Sequence, residues 1–174
     1  MWSLGKLTQV KTPLDRKVMY YMKVTRELMQ EQISFLWLGT VGCVCRDENG
    51  DFKGACYTRL SYTTTVVVAE AMVIRDGLEF AVNNHWQKVE IESDSKQVIQ
   101  VLNGQQQALA DVEVVMNDIL YLGNIMEANF HFVKRTLNNV AHSIAHWGNG
   151  DSRGATWLHN PPHWLYMALL HDWT

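Results

Sequence analysis

The stretch AEAMVIRDGLEFAVNNHWQKVEIESDS, residues 69–95, decides how the chain is read, because it puts two carboxylates where an apolar core would exclude them. At 3.6 residues per turn, Val73, Ile74, Gly77, Leu78, Phe80 and Ala81 gather on one face of a helix, and Arg75, Asp76 and Glu79 gather opposite. Glu70 falls within the apolar face. A carboxylate taken from water without a partner is strongly disfavoured, so Glu70 there implies a cation, a proton or a metal beside it. Further on, KVEIESDS alternates as a short strand with Val89 and Ile91 on one side, and it ends at Asp94 just before SKQVIQVL resumes helical spacing. Taken alone, Asp94 reads as a helix N-cap. Taken with Glu70, it completes a pair: a glutamate on a helix near the sheet and an aspartate at a strand's carboxyl end meet in one pocket, the oxygen-rich arrangement that Mg²⁺ requires.

Before this stretch, VGCVCRD and FKGACYTRL alternate as two strands around Asn49-Gly50. That dipeptide predicts a two-residue hairpin loop in which both residues take positive φ. The register then sets Asp47 opposite Phe52, Cys45 opposite Gly54 and Cys43 opposite Cys56. In a reducing compartment the neighbouring thiols read as small buried hydrophobes rather than a disulfide or metal site. SYTTTVVV leads into the Glu70 helix as a loop or strand end.

After it, SKQVIQVL stops at Asn103-Gly104, and GQQQALA forms a polar connector. Val112, Val115, Met116, Ile119, Leu122 and Met126 mark a longer amphipathic helix over residues 111–127, and residues 129–134 form the last strand. A helix from Asn139 turns Val140, Ala141, Ile144 and Ala145 inward and Asn139, His142, Ser143 and His146 outward. His142 and His146, four apart, suit zinc only with a third ligand, so they read first as a solvated face. Lys134 and Arg135, with Lys96 added, are the candidate phosphate-contacting patch. The tail breaks at Pro161-Pro162 and continues as a short apolar helix whose aromatic residues suit docking onto the body.

The 174 residues suit one domain with extensions, and 47% hydrophobic with 19% charged residues is an ordinary globular balance. A net charge of −3 means that any nucleic-acid binding must use a local basic patch, and that it will be weak and salt-sensitive. Three cysteines and the lack of a cleavable apolar leader predict an intracellular protein, nuclear or cytoplasmic, rather than a secreted one. No apolar run approaches the roughly 18 residues of a membrane span, so no membrane partner is expected.

The segments GTVGCVCRDENGDFKGA, AEAMVIRDGLEFA, VEIESDSKQVIQVLNG and FHFVKRTLNNVAHSIAH stand in unbroken order over residues 39–146. Through them the chain resembles type 1 ribonuclease H domains, especially the plant group derived from retrotransposon reverse transcriptases. The resemblance implies an α/β RNase H-like fold, a mixed five-stranded sheet with helices on both faces. It also implies Mg²⁺-dependent hydrolysis of the RNA strand of RNA–DNA hybrids; with a histidine at the site, Mn²⁺, which tolerates nitrogen ligands better, is expected to be the more permissive ion. Glu70 and Asp94 match the family's acids, and His142 stands where a fourth acid is expected. The resemblance further requires an opening central strand with the first aspartate. VKTPLD, ending in Asp15, is the local candidate, although Pro13 suits a central strand poorly and Arg16 replaces the expected glycine. RKVMYYMKVTRELMQEQ, residues 16–32, reads as a helix from its helix formers, and ISFLWL after it as an apolar strand that takes over if Asp15 does not serve. The expected organisation is a divergent segment 1–38, an RNase H-like domain 39–148 and a tail 149–174. Two functions follow: a ribonuclease H-type enzyme of weakened or lost activity, or a non-catalytic module of the same fold that binds nucleic acid or a protein partner.

Overall fold

The computed structural model describes residues 19–28, 37–63, 65–148 and 154–171. In chain order the elements are β1 (Met19–Leu28), β2 (Trp37–Asp47), β3 (Phe52–Thr63), α1 (Val66–Asn83), β4 (Lys88–Ser93), α2 (Lys96–Leu102), α3 (Glu113–Ile125), β5 (Asn129–Phe132), a 3₁₀ turn (Arg135–Leu137), α4 (Asn139–Gly148), β6 (Ala155–Leu158) and α5 (His163–His171). The strands form one mixed sheet in the order β5-β4-β1-β2-β3-β6. The β1–β2, β2–β3 and β3–β6 pairs are antiparallel, and the β1–β4 and β4–β5 pairs are parallel. The expected five strands are therefore six, the sixth coming from the tail.

The central strand corrects the reading of the N-terminal region. Residues expected as a helix supply β1, which bonds to β2 on one side and β4 on the other. ISFLWL does not supply the first strand: its last two residues, Trp37 and Leu38, begin β2. VKTPLD precedes β1, and Asp15 lies outside the described residues. Helix-forming side chains do not settle such a segment, because ladder bonds along both edges outweigh propensities of a few tenths of a kcal/mol per residue.

The first hairpin keeps most of its expected register by a different route. Cys43 pairs with Cys56 and Cys45 with Gly54, but Arg46, not Asp47, faces Phe52. Of Asn49 and Gly50, Gly50 adopts positive φ (82°) and Asn49 does not, and the Gly50 N–H donates to the Asp47 carbonyl at 2.8 Å. The loop thus holds three residues, and a bulge at Lys53 restores the register that a two-residue turn would have set.

Alternation along β2 splits the core between the two faces of the sheet. Val41 and Cys43 pack with Ile74 and Leu78 of α1 and Ile91 of β4. Val44 packs with Ala55, Tyr57, Ile144 of α4 and Leu165 of α5. Helices therefore cover both faces, as expected. α4 lies close enough to the sheet that a Cβ on Gly42 would sit 2.7 Å from the Ala141 carbonyl oxygen and the Ala145 nitrogen. Glycine is required there to let backbone meet backbone. The helix carrying Glu70 begins three residues earlier than its periodicity shows, where Thr65 accepts from the Val68 N–H at 3.2 Å and donates to Asp111 at 3.2 Å. Among the described residues no helix is long and apolar enough to cross a membrane.

Candidate nucleic-acid interface

The candidate site forms where β4 ends. Val89, Ile91 and Ser93 point into the core along β4, so the chain leaves the sheet at Ser93, whose hydroxyl accepts from the Ser95 N–H at 3.1 Å. That turn presents Asp94 at the rim and makes Ser95, not Asp94, the N-cap residue of α2. The Ser95 hydroxyl makes no capping bond; it donates instead to Glu70 Oε2 on α1 in a short hydrogen bond. The helix and the strand end are thereby joined, and Glu70 is half-buried rather than stranded in the apolar face.

The other wall comes from the segment after β5. The Val133 N–H donates to the Ser93 carbonyl at 2.9 Å, which brings Lys134 and Arg135 beside the end of β4. Asn138, fully buried, donates from Nδ2 to Asp94 Oδ1 at 3.1 Å, and its carbonyl accepts the His142 N–H at 3.1 Å. His142 is half-buried on α4, and its Nε2 is in close contact with the Arg135 guanidinium. Glu70, Asp94, His142 and Arg135 are thus gathered around one rim, through Ser95 and Asn138. Lys134, next to Arg135 in the chain, and Lys96, next to Ser95, are exposed.

Ser95 and Asn138 do not announce themselves in the sequence. Each is a small polar residue at the start of a helix, where capping is the ordinary expectation. The signal for Asn138 is its position in TLNN directly before an amphipathic helix, but nothing local says that it reaches a carboxylate 44 residues away.

Among the described residues no group of three or more His, Cys, Asp or Glu is arranged to hold a metal ion. The donors present do not suit a pair of Mg²⁺ ions either. Of the groups gathered at the rim, Glu70 and Asp94 supply carboxylate oxygens, but His142 offers nitrogen where a hard cation selects oxygen, and a guanidinium stands against that histidine. β1 passes the site with Val24 paired to Ser93, and its one acid, Glu27, comes three residues later.

A central β1 flanked by antiparallel β2 and β3 on one side and parallel β4 and β5 on the other, with helices on both faces, defines the ribonuclease H-like fold. Residues 37–148 match the model of the reverse transcriptase-like family, and the chain belongs to that family. The N-terminal RNase H domain of a Mycobacterium tuberculosis protein superimposes with a TM-score of 0.65 at 18% identity, covering 74% of this chain and 91% of that one. RNase H1 of the halophilic archaeon Halobacterium salinarum gives 0.65 at 19% identity, covering 78% and 98%. LC11-RNase H1, solved with an RNA/DNA hybrid, gives 0.62 at 16% identity, covering 75% and 94%. No curated protein matches the sequence significantly.

Proposed function

We propose that the chain is a nucleic-acid-binding RNase H-like domain that holds RNA–DNA hybrid or a similar duplex weakly, and in which Mg²⁺-dependent hydrolysis is slow or lost. One observation carries this reading: Arg135 lies against His142 beside the Asp94–Asn138 pair, so a fixed cation stands where the family resemblance calls for an acid and a metal. Such a guanidinium attracts a phosphodiester, while the Glu70 and Asp94 carboxylates keep the rim from becoming strongly basic. Lys134 and Lys96 add phosphate contacts. Binding of a related RNase H1 to RNA/DNA hybrid, and of foamy viral protease–reverse transcriptase to double-stranded DNA, supports nucleic acid as the partner class. Exposed Val114, Tyr121 and Ile125 on α3 favour, as the second reading, a protein-interaction module.

The test combines anisotropy and cleavage with a labelled RNA–DNA hybrid. Wild type should bind with a log K against log salt slope of about −2 to −3, for two or three neutralised phosphates, and Lys134→Ala with Arg135→Ala should flatten it. Cleavage in Mg²⁺ should be slow or undetectable, somewhat better in Mn²⁺, and abolished by Glu70→Gln or Asp94→Asn. His142→Asp should raise the Mg²⁺-dependent rate by restoring an oxygen ligand. Vigorous cleavage that survives Asp94→Asn would sink the site, and absence of binding at low salt would favour the protein-interaction module.

A further inference from the structure

α4 presents Asn139, His142, Ser143 and His146 in one stripe, and between this stripe and α5 runs an open groove of about 450 Å³. Trp147 and Trp164 complete its wall. Trp147 lies parallel to Trp164, with ring centroids 4.9 Å apart and planes 12° apart, and it meets Tyr57 and Trp157 edge-on at 5.8 and 5.9 Å. Despite three aromatic neighbours it remains 46% exposed. An indole held by three aromatic rings and exposed at the groove is a rigid platform, and base stacking on such a platform tolerates any sequence.

The groove is continuous with the candidate interface through His142, which lines it and touches Arg135. His142 and Trp147, five residues apart on α4, both line this groove. A strand whose phosphate sits on Arg135 therefore has a path past His142 into the groove, where Trp147 offers a ring to a base and Asn139, Ser143 and His146 offer polar groups to its edges. A duplex end fits less well, because its base edges are already paired and cannot bond to the polar side chains of the groove. We infer that this groove receives one unpaired nucleotide adjoining the bound duplex, with its base stacked on Trp147 and its phosphate on Arg135. The inference rests on the nucleic-acid-binding reading above.

The experiment compares the affinity of the full chain for a blunt RNA–DNA hybrid with that for the same hybrid carrying a two-nucleotide overhang, at either end, with normal or abasic residues. A normal overhang of one polarity should tighten binding about tenfold and an abasic one should not. Trp147→Leu should remove the gain and leave blunt binding unchanged. Ser143→Gln, which fills the groove from an exposed position and leaves the aromatic cluster alone, should do the same, so the test does not depend on one variant folding. An equal gain from abasic overhangs, a gain that survives both variants, or no gain at all overturns the inference while blunt binding stands. Loss of blunt binding at low salt in the wild type would instead overturn the function proposed above.

Discussion

Asp47 shows how much of a hairpin can hang on one carboxylate. Its Oδ1 accepts the N–H groups of Asn49 at 3.0 Å and Asp51 at 2.9 Å, and its Oδ2 takes the Lys53 ammonium at 2.7 Å. Burial works to raise this carboxyl, but the Lys53 bond and the two amides together outweigh it and hold it below its ordinary 3.8. Asp47→Ala should therefore cost about 1–3 kcal/mol in urea unfolding at pH 7, because two amides lose their acceptor in a half-buried turn. The pH dependence follows from the direction of the shift. The unfolded chain holds the proton more tightly, so the stabilisation is complete above about pH 5 and is lost as pH falls through 3.8 and below. The gap between wild type and variant should narrow progressively as pH falls below 3.8; a constant gap would show that packing, not charge, is what the alanine removes. At this scale the sequence was informative where chemistry conflicted with pattern. Glu70 stood out because a carboxylate interrupts an apolar face, whereas Ser95 and Asn138 conflicted with nothing. The turn was half legible: Asn49-Gly50 marked its place, but only Gly50 takes positive φ, and the count of loop residues was set by the Asp47 bonds.

Among the elements, β1 and the first hairpin mark the two extremes of legibility. Two alternating strands around a turn signal carry their own pairing information, and the Cys43–Cys56 pair came out in register even though the loop differed by one residue. β1 carries no such local signal, since its partners are β2 and β4, and the second of these lies about sixty residues downstream. Its Met, Lys, Arg, Glu and Leu residues are as good in a helix as anywhere, and only the sheet decides between them. The hairpin register has a chemical readout. Cys43 and Cys56 are free thiols paired across the strands, whereas Cys45 is paired with Gly54. The hydrogen bond with Cys56 and then burial push the Cys43 thiol well above its usual range, so at neutral pH it stays protonated and oxidises slowly. Diamide should join Cys43 to Cys56 only sluggishly at pH 7 and faster as the pH is raised. Peptide mapping that found Cys45 joined to Cys56 would contradict the register.

For the molecule as a whole, the family match and the folded unit do not have the same boundaries. The match spans residues 37–148, yet the sheet has its centre at Met19–Leu28 and one edge at Ala155–Leu158. An apolar tail after a double proline was legible as a helix suited to docking onto the body, but the side that docks was not, because α5 has apolar residues on several sides and its periodicity singles out no buried face. In the structure Leu165 and Leu169 are the buried ones, packed with Val44, Tyr57, Val140 and Ile144. β6 adds the ladder to β3, pairing Ala55 with Trp157 and Cys56 with Thr156. A chain ending at Gly148 would uncover Tyr57, now 2% exposed, and forfeit the burial of two leucines, about 1.5–3 kcal/mol each. It should unfold at a lower urea concentration, bind a hydrophobic dye and tend to aggregate. Leu165→Ala in the full chain should reproduce part of this, about 2–5 kcal/mol, without removing β6. The consequence reaches the interface, because α5 braces α4, and α4 carries His142. Truncation should therefore weaken hybrid binding more than the loss of tail residues in contact with nucleic acid explains, and Leu165→Ala should weaken it measurably at temperatures approaching its midpoint. An unchanged urea midpoint and unchanged hybrid affinity in the truncated chain would show that residues 149–174 are an appendage and that the sheet without β6 is the complete folding unit.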